Sequence, residues 1–258
     1  MLSSYLEFTG MRRKQRAGEP FLLATDFVYP TTLLPLVLYS LKRGCSLAVA
    51  SEKVRGYVRT VQQADLPPEG RTYLPAIRLP RAPEDYWDVL GRLENLSANT
   101  QLFGNNPEAY HYLLGELVDN IYEHAQAERA FVMAQFYPTS RTIEVCFLDD
   151  GATIPGSLGH GTNTPYPTER HYQAILDAAR GRSAKGGGER GYGLSSSIRL
   201  ITSLGGGALI VSGAGAVVAG ADGLSPYSLS DDHHLEGTLV SLRLADSDRR
   251  VNFYELIE

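Results

Sequence analysis

The chain has little cysteine and no long hydrophobic run, and each scarcity excludes a class of protein. Its 258 residues include two cysteines, Cys45 and Cys146, each in an apolar segment, so we expect buried, reduced thiols and no disulfide framework. No apolar run approaches the length of a membrane-spanning helix, and the N-terminus lacks the apolar segment of a signal peptide. We therefore expect a cytosolic protein without a membrane partner.

Positive charge is also scarce. The 24 lysines and arginines are outnumbered by 29 aspartates and glutamates, which gives a net charge of −5. This balance disfavours nucleic acid as the main partner, and the basic residues 11–16 are typical of a solvated tail. Hydrophobic residues make up 43% of the chain, which is ordinary for a globular protein.

The first hundred residues alternate between short apolar strands and helical patterns. The predicted strands are residues 21–24, 45–50 and 71–79, and the predicted helices are residues 33–41, 52–63 and 84–102. Such alternation is typical of a small α/β unit. We divide the chain into a tail at residues 1–19, an α/β domain at 20–104 and a second domain at 105–258, with the boundary near Gly104-Asn105.

The second half begins with a clear helix start, because Asn106 can cap a helix and Pro107 suits its first position. We expect this helix to end near Gln126. Strands are predicted at residues 130–137, 142–148, 208–211 and 239–244, with further helices at 169–180 and 193–204. In the strand at 142–148 apolar and polar residues alternate, which predicts one buried face. Residues 151–168 are rich in Gly, Pro and Thr and predict a long loop, whereas residues 213–236 show little pattern.

One helix stripe carries the first group of candidate site residues. Glu116, Asn120 and His124 are spaced four residues apart, so they share one face of the predicted helix. The oxygen of an Asn amide suits a hard ion such as Mg²⁺, and a carboxylate one turn away can deprotonate a nucleophile near a terminal phosphate. Taken alone, the segment fits a solvated helix face better.

Two further motifs follow in the sequence. Asp149-Asp150-Gly151 comes after a buried strand, where a carboxylate can accept a hydrogen bond from the exocyclic amine of adenine and Gly151 permits close approach to a flat ring. Taken alone, this motif is better explained by an ordinary Asp-Gly turn, because such turns are common. The third motif, Gly191-Tyr192-Gly193-Leu194, opens a helix, and backbone amides at a helix start favour phosphate.

A glycine run precedes the third motif. Gly186-Gly187-Gly188 would give the mobility that a lid over a nucleotide needs. Lys185 and Arg190 flank the run and could reach phosphates. Solvated charges in a loop are the alternative for both residues.

In this order, the motifs resemble those of the GHKL ATPases, which include gyrase, heat-shock chaperones, histidine kinases and mismatch-repair ATPases. The matches are Glu116-x-x-x-Asn120 with the N box, residues 149–154 and 190–194 with the two glycine boxes, and Gly237-Thr238 with the last Gly-Thr element. The resemblance covers roughly residues 105–245. It implies a Bergerat-type α/β sandwich, a mixed sheet covered by helices on one face.

The resemblance also implies ATP and Mg²⁺ as cofactors. Asn120 would hold the magnesium ion, Asp149 would bind the adenine amine, and Glu116 would be the general base. The remaining residues assigned to the base and phosphate sites are His124, Gly151, Lys185, Arg190, Gly191, Gly193, Leu194 and Thr238. Thr153 replaces the second glycine of the first glycine box, so its side chain would narrow the pocket.

The first half resembles the STAS-type fold of anti-sigma-factor antagonists over roughly residues 20–65. In that family the turn before the first helix often carries a phosphorylated serine. Here Pro30 stands at that position and is followed by Thr31 and Thr32. This disfavours regulation by phosphorylation, and we expect the two threonines to cap the helix.

Three functions stay open. The first is an ATP-binding switch, similar to anti-sigma-type Ser/Thr kinases, with slow ATP hydrolysis or protein phosphorylation by Glu116 and a regulatory protein or a second copy as partner. The second is a non-catalytic nucleotide sensor or interaction scaffold. The third is a histidine kinase catalytic domain, which is disfavoured because His111 lies inside the N-box helix instead of in a dimerising hairpin.

Overall fold

The computed structural model describes residues 1–16, 18, 22–62, 72–81, 85–100, 106–162, 165–182 and 192–245. The helices in these residues are α1 (Leu2–Arg16), α2 (Pro30–Arg43), α3 (Glu52–Gln62), α4 (Trp87–Thr100), α5 (Pro107–Asn120), α6 (Ile154–Thr162), α7 (His171–Ala179) and α8 (Tyr192–Ser203). The strands are β1 (Leu22–Leu23), β2 (Ala48–Val49), β3 (Tyr73–Arg78), β4 (Ala130–Tyr137), β5 (Thr142–Asp149), β6 (Gly207–Gly213), β7 (Gly215–Gly220), β8 (Gly223–Ser228) and β9 (Leu235–Ala245). None of the described helices combines the length and the apolar character needed to cross a membrane.

The predicted α/β class is confirmed, but the sheet differs from the prediction. Seven strands form one sheet in the order β3-β4-β5-β9-β6-β7-β8, and each neighbouring pair is antiparallel. Strands β1 and β2 form a separate, parallel pair. The expectation of a mixed sheet was therefore wrong for the large sheet, where the short turns between β4 and β5 and from β6 to β8 produce antiparallel neighbours.

Helices cover both faces of the large sheet. The first hydrophobic core joins α4, α5, α7 and α8 to one face, and the second joins α1, α2 and α3 to the other. Representative residues are Leu113, Leu117 and Ile201 against Val145 and Ile210 in the first core, and Phe8, Leu34 and Val58 with Met133 and Leu209 in the second. The helices of the second half that join a core, α5, α7 and α8, lie on one face, and helices α1, α2 and α3 of the first half cover the other.

This double cover explains the burial of β5. Ile143 and Val145 belong to the first core and Cys146 and Leu148 to the second, and Glu144 is buried as well. The alternation along β5 therefore separates two buried faces, whereas we had predicted one buried and one exposed face. A strand in the middle of a three-layer arrangement is covered on both sides.

Residues 2–16 form a packed helix instead of the predicted tail. Tyr5 and Phe8 are buried in the second core. The phenol of Tyr5 donates to the carbonyl of His233 (2.7 Å), and the guanidinium of Arg12 donates to the carbonyls of His234 (2.7 Å) and Asp232 (2.6 Å). The sequence pattern missed this helix because polar Thr9 and Arg12 take buried positions on the same face.

Elements from before and after the predicted domain boundary share one sheet. Strand β3 precedes the boundary, yet it is hydrogen-bonded to β4, which follows it. Helix α2 likewise packs on β4 and β5. The boundary itself, near Gly104-Asn105, lies outside the described residues, and the division into two domains stays a prediction.

The N-terminus of α2 is held by a carboxylate from β5. Glu144 is fully buried, and it accepts hydrogen bonds from the backbone N–H (3.1 Å) and the hydroxyl (2.5 Å) of Thr31. Arg243 on β9 donates to the other carboxylate oxygen. A buried charge is tolerated when it is paired and hydrogen-bonded in this way, and the helix terminus adds a favourable field.

The two threonines at this helix start do not act as caps. The N-cap residue is Tyr29, whose side chain makes no capping hydrogen bond. The hydroxyl of Thr31 bonds Glu144 and contacts Ser241 Oγ at 2.8 Å, and the hydroxyl of Thr32 donates to the carbonyl of Ser4 at 2.9 Å. Both threonines are fully buried.

We expect the substitution Thr31→Val to destabilise the protein by about 2 kcal/mol, because it removes a hydrogen bond to a buried carboxylate while keeping the side-chain shape. Urea denaturation checks this result. The matched control is Ser225→Ala on exposed strand β8, which should leave the unfolding midpoint unchanged. Equal midpoints for Thr31→Val and the wild type would show that the Glu144 network does not depend on this hydroxyl.

Candidate functional site

The first and third sequence motifs meet between α5 and α8. Gly193, in the first turn of α8, lies directly against the side chains of Glu116 and Asn120. A Cβ atom added at Gly193 would lie 2.6 Å from Glu116 Oε2 and 3.0 Å from Asn120 Nδ2. The glycine therefore leaves room for these two side chains between the helices, and residues of the first and third motifs are neighbours in the fold.

Glu116 is half-buried, and the pKa of its carboxyl group is raised. The main cause is burial, which disfavours the charged form, and the nearby carboxylates of Asp119 and Glu123 add to it. A hydrogen bond from the phenol of Tyr112 works in the opposite direction. A carboxylate with a raised pKa beside a cleft is a suitable group for accepting a proton.

Asn120 ends the α-helical part of the segment. Its Nδ2 donates to the carbonyl of Glu116 (2.6 Å), which directs the amide oxygen away from that carbonyl. The helix continues as a π-helical turn, Ile121–Ala125, a geometry that often occurs at functional sites. His124 lies in this turn, and its Nε2 is 3.7 Å from Glu123 Oε2. We had expected His124 to share one face of a regular α-helix with Glu116 and Asn120, and a π-helical turn changes that spacing.

The second motif places a buried carboxylate at the end of β5. Asp149 is only 3% exposed, and its Oδ1 accepts a hydrogen bond from the backbone of Gly151 at 2.9 Å. Burial raises the pKa of Asp149 to about 7, although hydrogen bonds from the backbone of Gly151 and Thr238 lower it and the neighbouring Asp150 raises it. In the part of the chain that the structure describes, no cation pairs with Asp149.

Asp150 has a different role from its neighbour. Its carboxylate accepts a hydrogen bond from the backbone N–H of Arg129 at 2.8 Å. It also lies 3.6 Å from the guanidinium of Arg129 and 3.9 Å from the ammonium of Lys42. The charge of Asp150 is thus paired within the protein, whereas Asp149 has no cation partner among the described residues.

Gly151 joins the second motif to the first. A Cβ atom at Gly151 would lie 2.0 Å from the carbonyl oxygen of Ala125, and the next residue, Ala152, donates its N–H to that oxygen at 2.5 Å. The close approach that we assigned to a flat ligand ring is made here by the backbone of the π-helical turn. Gly151 therefore shapes the site through the protein's own packing.

The Gly-Thr element lies opposite Asp149. Gly237 has a φ of +105°, and a Cβ atom there would lie 2.0 Å from the carbonyl oxygen of Asp149. This conformation is open to glycine and strained for other residues. It places Thr238 in register with Asp149, and Thr238 Oγ1 lies 2.9 Å from the hydroxyl of Ser212.

Ser212, which the sequence prediction did not include, connects this element to α6. Its hydroxyl oxygen accepts the N–H of Ile154 at 2.8 Å. The segment we predicted as a long loop at residues 151–168 contains α6 (Ile154–Thr162), because Thr153 caps the helix start: its Oγ1 accepts from Gly156 (3.1 Å) and its carbonyl from Ser157 (2.8 Å). The only sequence signal for Ser212 is a polar residue in an apolar strand.

Tyr112 and Ser196 were also missed. The phenol of Tyr112 lies 3.0 Å from Ser196 Oγ, and the Ser196 hydroxyl donates to the carbonyl of Gly193 at 3.1 Å. Tyr112 stands four residues before Glu116, so the same spacing that selected Asn120 could have selected it. Leu194, which we assigned to the nucleotide site, is half-buried and packs against the first core.

Several predicted residues lie outside the described part of the chain. They are Lys185, Arg190 and Gly191, together with the run of glycines at 186–188. Among the described residues, no group of three or more His, Cys, Asp or Glu side chains is arranged to hold a metal ion.

Comparison with protein-family models and with curated proteins found no match to this chain.

Proposed function

We propose that this chain is an ATP- and magnesium-binding regulatory protein of the GHKL class, which slowly hydrolyses ATP or phosphorylates a Ser or Thr residue of a protein. The observation that carries the proposal is the contact of Gly193 with Glu116 and Asn120. It joins a glycine motif at a helix start to a carboxylate and an amide oxygen, the groups that phosphate transfer needs.

Asp149 supports adenine as the base. It is a buried carboxylate without a cation partner among the described residues, and it lies at the end of β5 opposite Thr238, whose backbone donates a hydrogen bond to it. Adenine presents an amine donor where guanine presents a carbonyl oxygen. An ionised Asp149 would therefore accept a hydrogen bond from adenine and repel guanine in the same orientation.

The residues near α5 fit a magnesium ion of the kind that retains most of its waters. Such an ion takes one or two protein ligands together with phosphate oxygens, and Asn120 Oδ1 is a ligand of that type. When bound, the ion would neutralise phosphate charge. Glu116, beside Asn120, would accept the proton of the attacking hydroxyl or water, while Lys185, Arg190, Gly191 and His124 would contact phosphates.

The proposed architecture is a Bergerat-type sandwich, here with an antiparallel large sheet, preceded by a STAS-like unit. Its support is the order of the motifs and the packing of α5 and α8 on one face of the sheet. The parallel pair β1 and β2, connected by α2, supports the STAS-like unit. The partner would be a regulatory protein or a second copy of the chain.

A non-catalytic nucleotide sensor is the second candidate, and one contact favours it. The ammonium of Lys42, at the end of α2, lies 3.3 Å from Glu236 and 3.9 Å from Asp150. These carboxylates adjoin Gly237 and Asp149 of the proposed base site. A change at the base site would therefore reach α2, which belongs to the first half of the chain.

A measurement of ADP release distinguishes the enzymatic function from the sensor function. We expect Glu116→Ala to lower ADP release roughly a hundredfold or more and to leave the Kd for ATP, measured by calorimetry in the same samples, within about threefold. The matched control is Glu108→Ala on the exposed first turn of α5, which should change neither quantity. Unchanged turnover in Glu116→Ala would remove Glu116 from the reaction.

A further inference from the structure

Tyr112 connects the two helices that carry the candidate site. It lies on α5 one turn before Glu116, and its phenol hydroxyl is hydrogen-bonded to the Glu116 carboxylate. The same hydroxyl lies 3.0 Å from Ser196 Oγ on α8. Ser196 in turn donates to the carbonyl of Gly193 at 3.1 Å. A single chain of polar contacts thus runs from the carboxylate of Glu116 to the backbone of the glycine motif.

The number of hydroxyl hydrogens in this series of contacts couples the residues that take part in it. An ionised carboxylate only accepts hydrogen bonds, so the one hydrogen of the Tyr112 phenol is directed to Glu116. Ser196 also has one hydrogen, which it can give either to Tyr112 or to the Gly193 carbonyl. The orientation of Glu116 and the hydrogen bonding of Gly193 therefore depend on each other through two hydroxyl groups.

The other charged groups near these contacts act on them through their charges. Asp119 and Glu123 act on Glu116 through their charges, and Arg199 on α8 acts on Tyr112 in the same way. The ring of Tyr112 packs against the first core. Phenylalanine would keep that packing, so the role of the hydroxyl can be separated from the role of the ring.

We propose that Tyr112 is a positioning residue, which holds the Glu116 carboxylate in place against the glycine motif of α8 by way of Ser196. This inference rests on the proposed function, because it assigns to Tyr112 a part in the turnover attributed to Glu116. The hydroxyl acts through Glu116 and Gly193 and does not itself contact the nucleotide.

A double-mutant cycle on the full chain tests the proposal. Tyr112→Phe, Ser196→Ala and the double variant are compared with the wild type for kcat, KM, the Kd for ATP and Tm. We expect Tyr112→Phe to lower kcat about tenfold, as the loss of one hydrogen bond to a charged group implies, with Kd and Tm unchanged. The double variant should be no slower than Tyr112→Phe alone, because both substitutions interrupt the same series of hydrogen bonds.

Two outcomes overturn the inference and leave the proposed function intact: an unchanged kcat in Tyr112→Phe, or strictly additive effects of the two substitutions. A rise in Kd with an unchanged kcat would likewise overturn it, since a purely structural role predicts that result. A wild-type chain that binds ATP without releasing ADP would overturn the enzymatic function and this inference together. Tyr110→Phe, a buried neighbour on the same helix, is the matched control and should leave kcat unchanged.

Discussion

Replacing Asp149 by asparagine should weaken ATP binding by roughly a hundredfold and leave the folded protein at least as stable at pH 8. The loss of affinity follows because the backbone N–H groups of Gly151 and Thr238 would hold the amide oxygen, which leaves the NH2 group, a donor, facing the base amine. An unmatched buried polar group is worth about 1–3 kcal/mol. In the folded protein, Asp149 is 3% exposed and has a pKa of about 7. Burial suits Asp149 to bind a base, but the same burial makes its ionised form destabilise the folded protein.

The sign of the stability effect follows from the raised pKa. Between its ordinary value of 3.8 and about 7, the folded state keeps a proton that the unfolded state has lost, so stability falls as the pH rises through this window. Above pH 7 the penalty is fully present, with an upper value of about 4 kcal/mol. The asparagine side chain of the variant carries no such penalty, although its amide hydrogens find fewer partners, so we expect a net gain of about 1–3 kcal/mol.

The neighbouring carboxylate supplies the control. Asp150→Asn removes a charge that pairs with Arg129 and Lys42, so it should destabilise the protein by about 1–2 kcal/mol at pH 8. Urea denaturation at pH 8 and pH 5, with calorimetric ATP titrations of both variants, distinguishes the two carboxylates. The account of Asp149 fails if Asp149→Asn binds ATP normally or if it loses stability at pH 8 as Asp150→Asn does.

The substitution Gly193→Ala should lower both ATP affinity and turnover at least tenfold. The added methyl group would lie 2.6 Å from Glu116 Oε2 and 3.0 Å from Asn120 Nδ2, so both side chains would have to move. A displacement of about 1 Å at reacting groups is enough to reduce a rate strongly. Turnover and calorimetry on the purified variant measure the two effects.

Gly115→Ala is the matched control for this glycine. Gly115 precedes Glu116 on α5, and a Cβ atom there meets nothing within 4 Å. The control should keep turnover and raise the stability of the helix by about 0.5–1 kcal/mol, because alanine favours helix more than glycine does. If the two variants had the same turnover, the contact between α8 and the Glu116 side chain would have no functional role.

Local patterns predicted the elements that surround the site. Strands β4 (Ala130–Tyr137) and β5 (Thr142–Asp149) lie within one residue of the predicted bounds, and α5 begins at Pro107. Apolar β segments with a turn between them, and a proline at a helix start, are signals that depend on neighbouring residues alone. Such signals can be recognised without knowledge of the tertiary fold.

Contacts between distant residues could not be predicted in this way. The bond between Thr31 and Glu144 spans 113 residues, and the second face of β5 is buried by residues of α1, α2 and α3, which are more than eighty residues away in the sequence. Strands β7 and β8 were missed because small residues and exposed positions leave no apolar alternation. Helix α1 was missed because its buried face includes Arg12, whose partners lie at residues 232 and 234.

The residues of the candidate site also differ in whether the sequence alone could identify them. Glu116, Asn120 and Asp149 were selected from the order of the motifs and their resemblance to a family, since spacing and position alone fit a solvated helix face and an ordinary turn better. Ser196 and Ser212 could not be selected, since single hydroxyl residues are common and their partners on other elements lie far away in the sequence, whereas the four-residue spacing from Glu116 could have selected Tyr112. The glycines were recognised, but the backbone that approaches Gly151, at Ala125, became evident only in the fold.

Calorimetric titration of the full chain with ATP, with and without Mg²⁺, tests the central claim most directly. The wild type and Asn120→Ala are compared, with Asn95→Ala on the exposed face of α4 as the control. We expect ATP to bind the wild type and Asn95→Ala in the presence of Mg²⁺, and to bind at least tenfold more weakly without Mg²⁺ or in Asn120→Ala. Failure of the wild type to bind ATP, or binding that depends on neither Mg²⁺ nor Asn120, would contradict the account.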